Sequence, residues 1–350
     1  MKMVNKKLFN VEALRAVAAV LVVFYHVDKY YYSNPLLWEN KFLGGLFSFG
    51  HSGVEFFFVI SGFIITMMHF DDGGKSSTIP TFIKKRFVRI YPFYWLVLIS
   101  TIISMLIVPG VMSRLSISAF MGSIILAGID PLTSVVFVSW TLFHEILFYS
   151  IFCIFLWRRR LGMAILVAWA LVGFVASIFA RPFYVLSPMH ILFLFGIACS
   201  ILLSRYRISG SIWISAAGVL LFLATGLDEV FWHQLHRLPQ IVGYGLGSSL
   251  LLMGLVELER RERFKVGRLV VLVGQASYAI YLTHMLTLTA LTKVVAYMRV
   301  SEYVPGSIAF IVLATTAVVV GVIMHLVIER PLTNWVRLKM TPSPALAPAT

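Results

Sequence analysis

The 350 residues are poor in charge, poorer still in acid, and almost free of cysteine. Asp, Glu, Lys and Arg together make up 13% of the chain while hydrophobic residues make up 59%. That is far more apolar surface than a soluble core can enclose, so a soluble enzyme is excluded and an integral membrane protein is left. The two cysteines, Cys153 and Cys199, have neither metal-ligand spacing nor the makings of a disulfide framework. They read as packing residues, and no metal is expected. Also missing are the alternation over about ten residues that marks outer-membrane strands, any internal repeat, and the matched pair of broken helices that points to a secondary transporter. An all-α, polytopic membrane protein is the class that survives these absences.

What is present is a series of apolar blocks, each about long enough to cross a bilayer as a helix. Ten spans are expected, near 8–27, 46–69, 91–110, 138–157, 162–180, 187–204, 211–227, 239–257, 269–290 and 306–328. Residues 1–340 then form one membrane domain, and 341–350, with Pro342, Pro344 and Pro348 among small residues, a disordered tail. The formal charge of +14 comes from short basic groups between the blocks rather than from one continuous patch, which argues against nucleic acid. With a cytoplasmic N-terminus, twenty-one basic residues fall on the cytoplasmic side and seven outside, with Arg15 inside a span. The positive-inside rule therefore puts both termini in the cytoplasm. The first span ends in His26, Val27 and Asp28 without a small-x-small cleavage site, so it reads as an anchor and not as a signal peptide.

Three charged residues, Arg15, Glu55 and Glu145, fall deep inside these spans. Such residues are costly in hydrocarbon, and they usually face a bundle interior and mark substrate or proton paths. Arg15 and His26 stand eleven residues apart in one apolar stretch, which at about 100° per residue places them nearly on one helical face. The expected topology brings His26, Glu55, Glu145 and His284 to one depth in the outer half of the membrane. A neutral imidazole suits a general base near neutral pH, and a carboxylate can orient it. His26 is the base candidate, with Glu55 or Glu145 as orienter; the competing explanation is a polar network that merely ties helices together. His51, one turn before Glu55, and Tyr149, one turn after Glu145, are auxiliary candidates, as are His284 and Trp140. His144 points to another face and reads as an interhelical bond. Ser61-Gly62 and the run Gly243-Tyr-Gly-Leu-Gly247 read as close helix packing rather than as a nucleophile and a dinucleotide loop.

In Lys84-Lys-Arg-Phe-Val-Arg-Ile-Tyr-Pro92, Arg86 and Arg89 share a helical face just before the third span. Paired guanidinium groups suit phosphates, although basic clusters at this position also arise from topology alone and meet anionic lipid headgroups.

Five segments in order carry a family resemblance: Leu14-Arg-Ala-Val-Ala-Ala through His26, Gly53-Val-Glu-Phe-Phe-Phe-Val-Ile-Ser-Gly62, Arg86-x-x-Arg-Ile-Tyr-Pro-Phe-Tyr-Trp95, Trp140-Thr-Leu-x-x-Glu145 and Tyr278-Ala-Ile-Tyr-Leu-Thr-His284. Together they resemble the membrane acyltransferase-3 family of bacterial carbohydrate O-acetyltransferases, from about Leu14 to Glu329, with a look closest to the stand-alone exopolysaccharide acetyltransferases. Thr141 stands where family members often have Ser. The resemblance implies that Arg15 and His26 are essential, that His26 is catalytic, and that Arg86 and Arg89 bind acyl-CoA. It also implies a bacterial inner-membrane location, acetyl-CoA as donor, a carbohydrate acceptor, and polysaccharide assembly machinery as a further partner. No segment resembles the extracytoplasmic hydrolase-like domain fused to some relatives, so acceptor handling is expected from the membrane domain or from another protein.

On this reading acetyl-CoA docks from the cytoplasm at Arg86 and Arg89 and sends its thioester arm past Arg15. Lys7 to His26 spans about 28 Å of helix. Two routes remain open: His26 deprotonates a sugar hydroxyl for direct attack, or His26 is itself acetylated and passes the group on. Arg15 steadies either the pyrophosphate or the developing oxyanion. A proton-coupled transporter or exporter that uses the same buried groups is the rival reading, and a scaffold subunit the third.

Overall fold

A computed structural model of the chain describes residues 8–33, 42–107, 116–127, 134–179 and 184–340. The expected tail 341–350 and parts of the connections at 28–45 and 111–137 lie outside the described residues. Among the described residues the secondary structure is helical throughout, without a strand, and ten helices are long and apolar enough to cross a membrane. The spanning helices are α1 (Phe9–Ser33), α2 (Ser52–His69), α3 (Ile79–Ile107), α5 (Trp140–Trp157), α6 (Arg159–Phe179), α7 (Ile191–Arg205), α8 (Ser211–Leu227), α9 (Arg237–Arg260), α11 (Ser277–Tyr297) and α12 (Gly306–Met324). Short α4 (Ile117–Ile125) and α10 (Arg268–Gln275) lie between them, and α13 (Arg330–Met340) follows. Large apolar side chains such as Ile99, Leu106, Ile178 and Leu220 are more than half exposed. In water they would be a liability, but on a helix surface facing lipid they are the solvent-matched side.

Helix α1 sits in the middle, packed against α2, α9, α10, α11 and α12. Its start is fixed by the Glu259 carboxylate, which accepts from the backbone N–H groups of Phe9 and Asn10 at 2.7 and 2.9 Å. These are helix-terminal donors with no intrahelical partner, and a carboxylate there also meets the positive end of the helix dipole. Small residues let the backbones approach as lipid-embedded bundles require. A Cβ on Gly62 of α2 would collide with the Phe193 carbonyl of α7, and one on Gly196 of α7 with the Val59 carbonyl of α2. Gly243 and Gly247 pack in the same way against Thr225 and Phe222 of α8, so the glycine run in α9 is the packing device expected. Cys153 and Cys199 are free thiols, half-buried and buried.

Two boundaries differ from expectation, and both shape the site. The third span starts at Ile79 in the described helix, so Arg86 and Arg89 stand inside α3 rather than before it, with Pro92 within the same helix. The ninth is broken: α10 ends at Gln275, Ala276 carries the turn, and α11 begins at Ser277. Just before the break Gly274 lies against the backbone of Glu12 too closely for any Cβ. Hydrophobic periodicity carries no record of such a contact.

Candidate active site

Among the described residues, arginines and lysines gather where α3 begins, α5 ends and α9 ends; this is called the basic end. A cleft of about 170 Å³ runs inward from Arg86 and Arg89 of α3, between α1, α2, α5 and α11. Arg15, Ser61, Glu145 and Tyr149 also line it, and Thr141 and Tyr281 stand at its inner part.

The three arginines differ in how their charge is spent. Arg89 is committed: Nη1 donates to Glu329 Oε1 at 2.8 Å, and the guanidinium lies 5.2 Å from the Tyr278 ring. Glu329, only 1% exposed, takes a second contact from His325 Nδ1 at 2.7 Å. Arg15 donates to Ser277 Oγ at 2.9 Å and reaches Glu12 at 3.5 Å. Arg86 has no carboxylate partner among the described residues. Its guanidinium lies 5.7 Å from the rings of Phe82 and Tyr149, and its Nε is buried without a hydrogen bond. A cation held against aromatic faces, half-buried and unneutralised, is a standing invitation to an anion. Glu145 accepts from Ser61 Oγ at 3.2 Å and from the Tyr149 hydroxyl, so Ser61 serves the carboxylate.

His26 does not line this cleft. It lies farther along α1, about 16 Å from Arg15 at helical rise, and the same face of α1 reads onto α11 twice, Arg15 onto Ser277 and His26 onto His284. His26 Nδ1 is 2.9 Å from the Val22 carbonyl and 3.2 Å from His284 Nε2, and His284 Nδ1 is 3.1 Å from the Ile280 carbonyl. Carbonyls only accept, so for neutral rings these distances assign the proton to Nδ1 of both. The one N–H of His26 Nδ1 is then shared between the Val22 carbonyl and His284 Nε2, both of which accept from it. His26 Nε2 keeps its lone pair and has no partner among the described residues.

The four groups expected at one depth therefore do not form one cluster. Neither Glu55 nor Glu145 touches the His26 ring; a carbonyl of its own helix and a second imidazole occupy the orienting position. Glu55, completely buried, is bound instead by Arg237 Nη2 at 2.6 Å and lies 3.4 Å from His51 Nδ1. Its charge already has a cation, which removes any drive to reach His26. Trp140 lies 5.7 Å from the His144 ring, away from the cleft, and His144 makes the interhelical bond expected of it, to His190 at 2.9 Å. Sequence reasoning missed Glu329, Ser277, Glu229 and Arg237. Glu329 alone carried a local signal, its spacing of four from His325.

Between the cleft and the imidazole pair stands Tyr281. Its hydroxyl is 2.9 Å from Thr141 Oγ1 and donates to the Val138 carbonyl at 3.1 Å, while its ring is 5.8 Å from that of His284. The basic cleft thus ends at a tyrosine whose ring lies beside His284, the partner of the histidine with a free lone pair. The family model described as an acyltransferase domain matches residues 8–326. The chain belongs to the acyltransferase-3 family. It is a multi-pass membrane acyltransferase. It is similar to the exopolysaccharide production protein ExoZ of Rhizobium meliloti (strain 1021), at 27% identity over 318 residues, which cover 83% of this chain and 91% of that protein. No solved structure gave a significant match.

Proposed function

We propose that the protein transfers an acetyl group from acetyl-CoA, bound at the basic end on the cytoplasmic side of a bacterial inner membrane, to a hydroxyl of an exported polysaccharide or its lipid-linked precursor. The similarity to an exopolysaccharide production protein supports the acceptor class, and the family supports acyl transfer. The observation that carries the reading is the shared face of α1 and α11, with an arginine at the cleft and a histidine base farther along. Arg86, unneutralised, is the phosphate contact; Arg89, held by Glu329, gives the cleft its rigid wall. The thioester arm passes Arg15 and reaches His26 once the Tyr281–Thr141 contact opens.

At His26 the step balances simply. The acceptor O–H gives its proton to Nε2, its oxygen bonds to the thioester carbonyl carbon, the C–S bond breaks, and the departing thiolate takes the proton from His26 to leave as CoA thiol. His284 Nε2 keeps accepting from Nδ1–H throughout. It steadies the transient imidazolium without adding a fixed charge inside the membrane, where one is costly. The variant route, in which Nε2 itself takes the acetyl group first, uses the same lone pair.

Proteoliposomes holding the full chain, supplied with radiolabelled acetyl-CoA and de-O-acetylated exopolysaccharide from the producing cell, test this. Label should enter the polysaccharide with one CoA thiol released per acetyl group, and His26→Ala should stop both. Movement of a solute across the membrane with no thioester consumed would overturn the reading in favour of a transporter.

A further inference from the structure

One polar network plays no part in the reaction as described. At the end of the bundle opposite the basic one, Arg237 Nη2 donates to Glu55 Oε1 at 2.6 Å, and Glu55 Oε1 lies 3.4 Å from His51 Nδ1. His51 Nε2 meets Glu229 Oε1 at 2.6 Å, and the Tyr244 hydroxyl donates to Glu229 Oε2 at 2.6 Å. The network is drawn from α2, α9, the π-helical turn Asp228–Trp232 and His51 at the end of the 3-10 segment Phe42–His51, so four elements converge on it. A tie between helices would need fewer charges, and burying these without purpose is expensive.

Three features show that the network is unfinished. Glu55 is completely buried, yet its second oxygen, Oε2, has no hydrogen-bond partner among the described residues. Arg237 is 47% exposed and spends only Nη2; its Nη1 and Nε have no partner among the described residues. Tyr25 lies with its ring 4.9 Å from that of His26 and 5.6 Å from that of His51, and its hydroxyl makes no hydrogen bond among the described residues. A guanidinium fixed by one buried carboxylate, near a tyrosine that adjoins a histidine with an open lone pair, forms a preorganised polar binding surface. Sugars suit such a surface, because neighbouring hydroxyls and ring oxygens accept from a guanidinium fork and from a phenol.

We propose that Arg237 and Tyr25 form the acceptor subsite, holding the carbohydrate so that one of its hydroxyls meets His26 Nε2 from the side away from the cleft. Glu55, His51, Glu229 and Tyr244 are positioning residues that hold Arg237. The proposal rests on the acyl-transfer reading above. Tyr25 lies beside both His26 and His51, with ring centroids 4.9 and 5.6 Å away, and Arg237 is joined to His51 through Glu55. Donor and acceptor then approach His26 from opposite ends of the bundle.

The test uses the full chain in nanodiscs with acetyl-CoA and a de-O-acetylated oligosaccharide cut from the producing cell's polysaccharide. Arg237→Gln also takes the cation from buried Glu55 and so lowers the melting temperature; in the folded fraction it should raise the KM for the oligosaccharide about 10- to 100-fold, the factor set by losing a hydrogen bond from a charged donor, while the KM for acetyl-CoA holds. Arg237→Lys should restore part of that loss, and Tyr25→Phe should give a smaller rise on the same side. If both KM values move together, or only the melting temperature falls, the network is a structural tie and the subsite is wrong. Direct binding of the fluorescently tagged oligosaccharide keeps the two readings apart. Should wild-type protein consume no thioester yet bind the oligosaccharide through Arg237, the acyl-transfer reading fails and the subsite stands; unchanged binding by Arg237→Gln overturns the subsite.

Discussion

The molecule holds two pairs of histidines that contact each other, and only one is equipped for chemistry. His26 and His284 lie with ring centroids 4.9 Å apart, and so do His144 and His190. In the first pair each Nδ1 faces the carbonyl one turn earlier, and His26 is half-buried with its Nε2 unpartnered among the described residues. In the second, His190 is completely buried and stacked on Trp169 at 3.8 Å, His144 is 1% exposed, and His190 Nδ1 is buried without a partner among the described residues. The same motif therefore serves as a base in one place and as packing in the other. What separates them is whether a lone pair is left where a substrate can reach it.

That contrast is broken most forcefully by exchanging the effects of substitution. His26→Gln should lower kcat by about 10²- to 10⁴-fold, the usual contribution of a positioned base, with folding retained. His190→Ala should do the reverse. It removes the Trp169 stack and strands His144, lowering stability by about 2 kcal/mol, read as a lower melting temperature with kcat per folded molecule held. A large loss of turnover in His190→Ala, with the melting temperature intact, would make the second pair functional and undo the comparison.

The arginines of α3 sharpen it at the level of charge. Arg86 is unneutralised, so Arg86→Ala should raise the KM for acetyl-CoA about 10- to 100-fold, equivalent to a charge-assisted contact of about 1.5–3 kcal/mol. Arg89 is the partner of buried Glu329. Arg89→Ala leaves that carboxylate uncompensated, at a cost of about 3–5 kcal/mol, and should appear first as loss of folded protein. Thermal melts in detergent beside initial rates at varied acetyl-CoA distinguish the two. Equal KM effects at unchanged stability would mean that both arginines bind phosphate directly.

The fold was legible because apolar blocks of bilayer length admit little but helices, and all ten spans are present. Site candidates were legible one helix at a time. Periodicity put Arg15 and His26 on one face, and that face does meet α11 at two points. Partnership was another matter. Depth alone pairs Glu55 with His26, but depth says nothing about azimuth, and the nearest arginine, Arg237, comes from the start of a helix 182 residues away. Glu329 and Ser277 were overlooked because neither stands inside an expected polar motif. Their roles arise from a π-helical turn at His325–Glu329 and from the break at Ala276, irregularities that propensity and hydropathy do not register.

The smallest expected effect concerns the passage between the two regions. Tyr281 closes the inner part of the cleft through Thr141 and the Val138 carbonyl, one turn before His284. Tyr281→Phe keeps the ring and removes the hydroxyl, and with it a membrane-embedded hydrogen bond worth about 0.6 kcal/mol. If opening of that contact limits turnover, kcat should rise by up to about threefold, the whole of that energy appearing in the rate. A fall instead would assign the hydroxyl to the reaction itself, as a donor to the developing oxyanion. The sign of a small change thus decides whether the cleft and the histidine are separated by a gate or joined by a catalytic group, and presteady-state release of CoA thiol from the two proteins reads it directly.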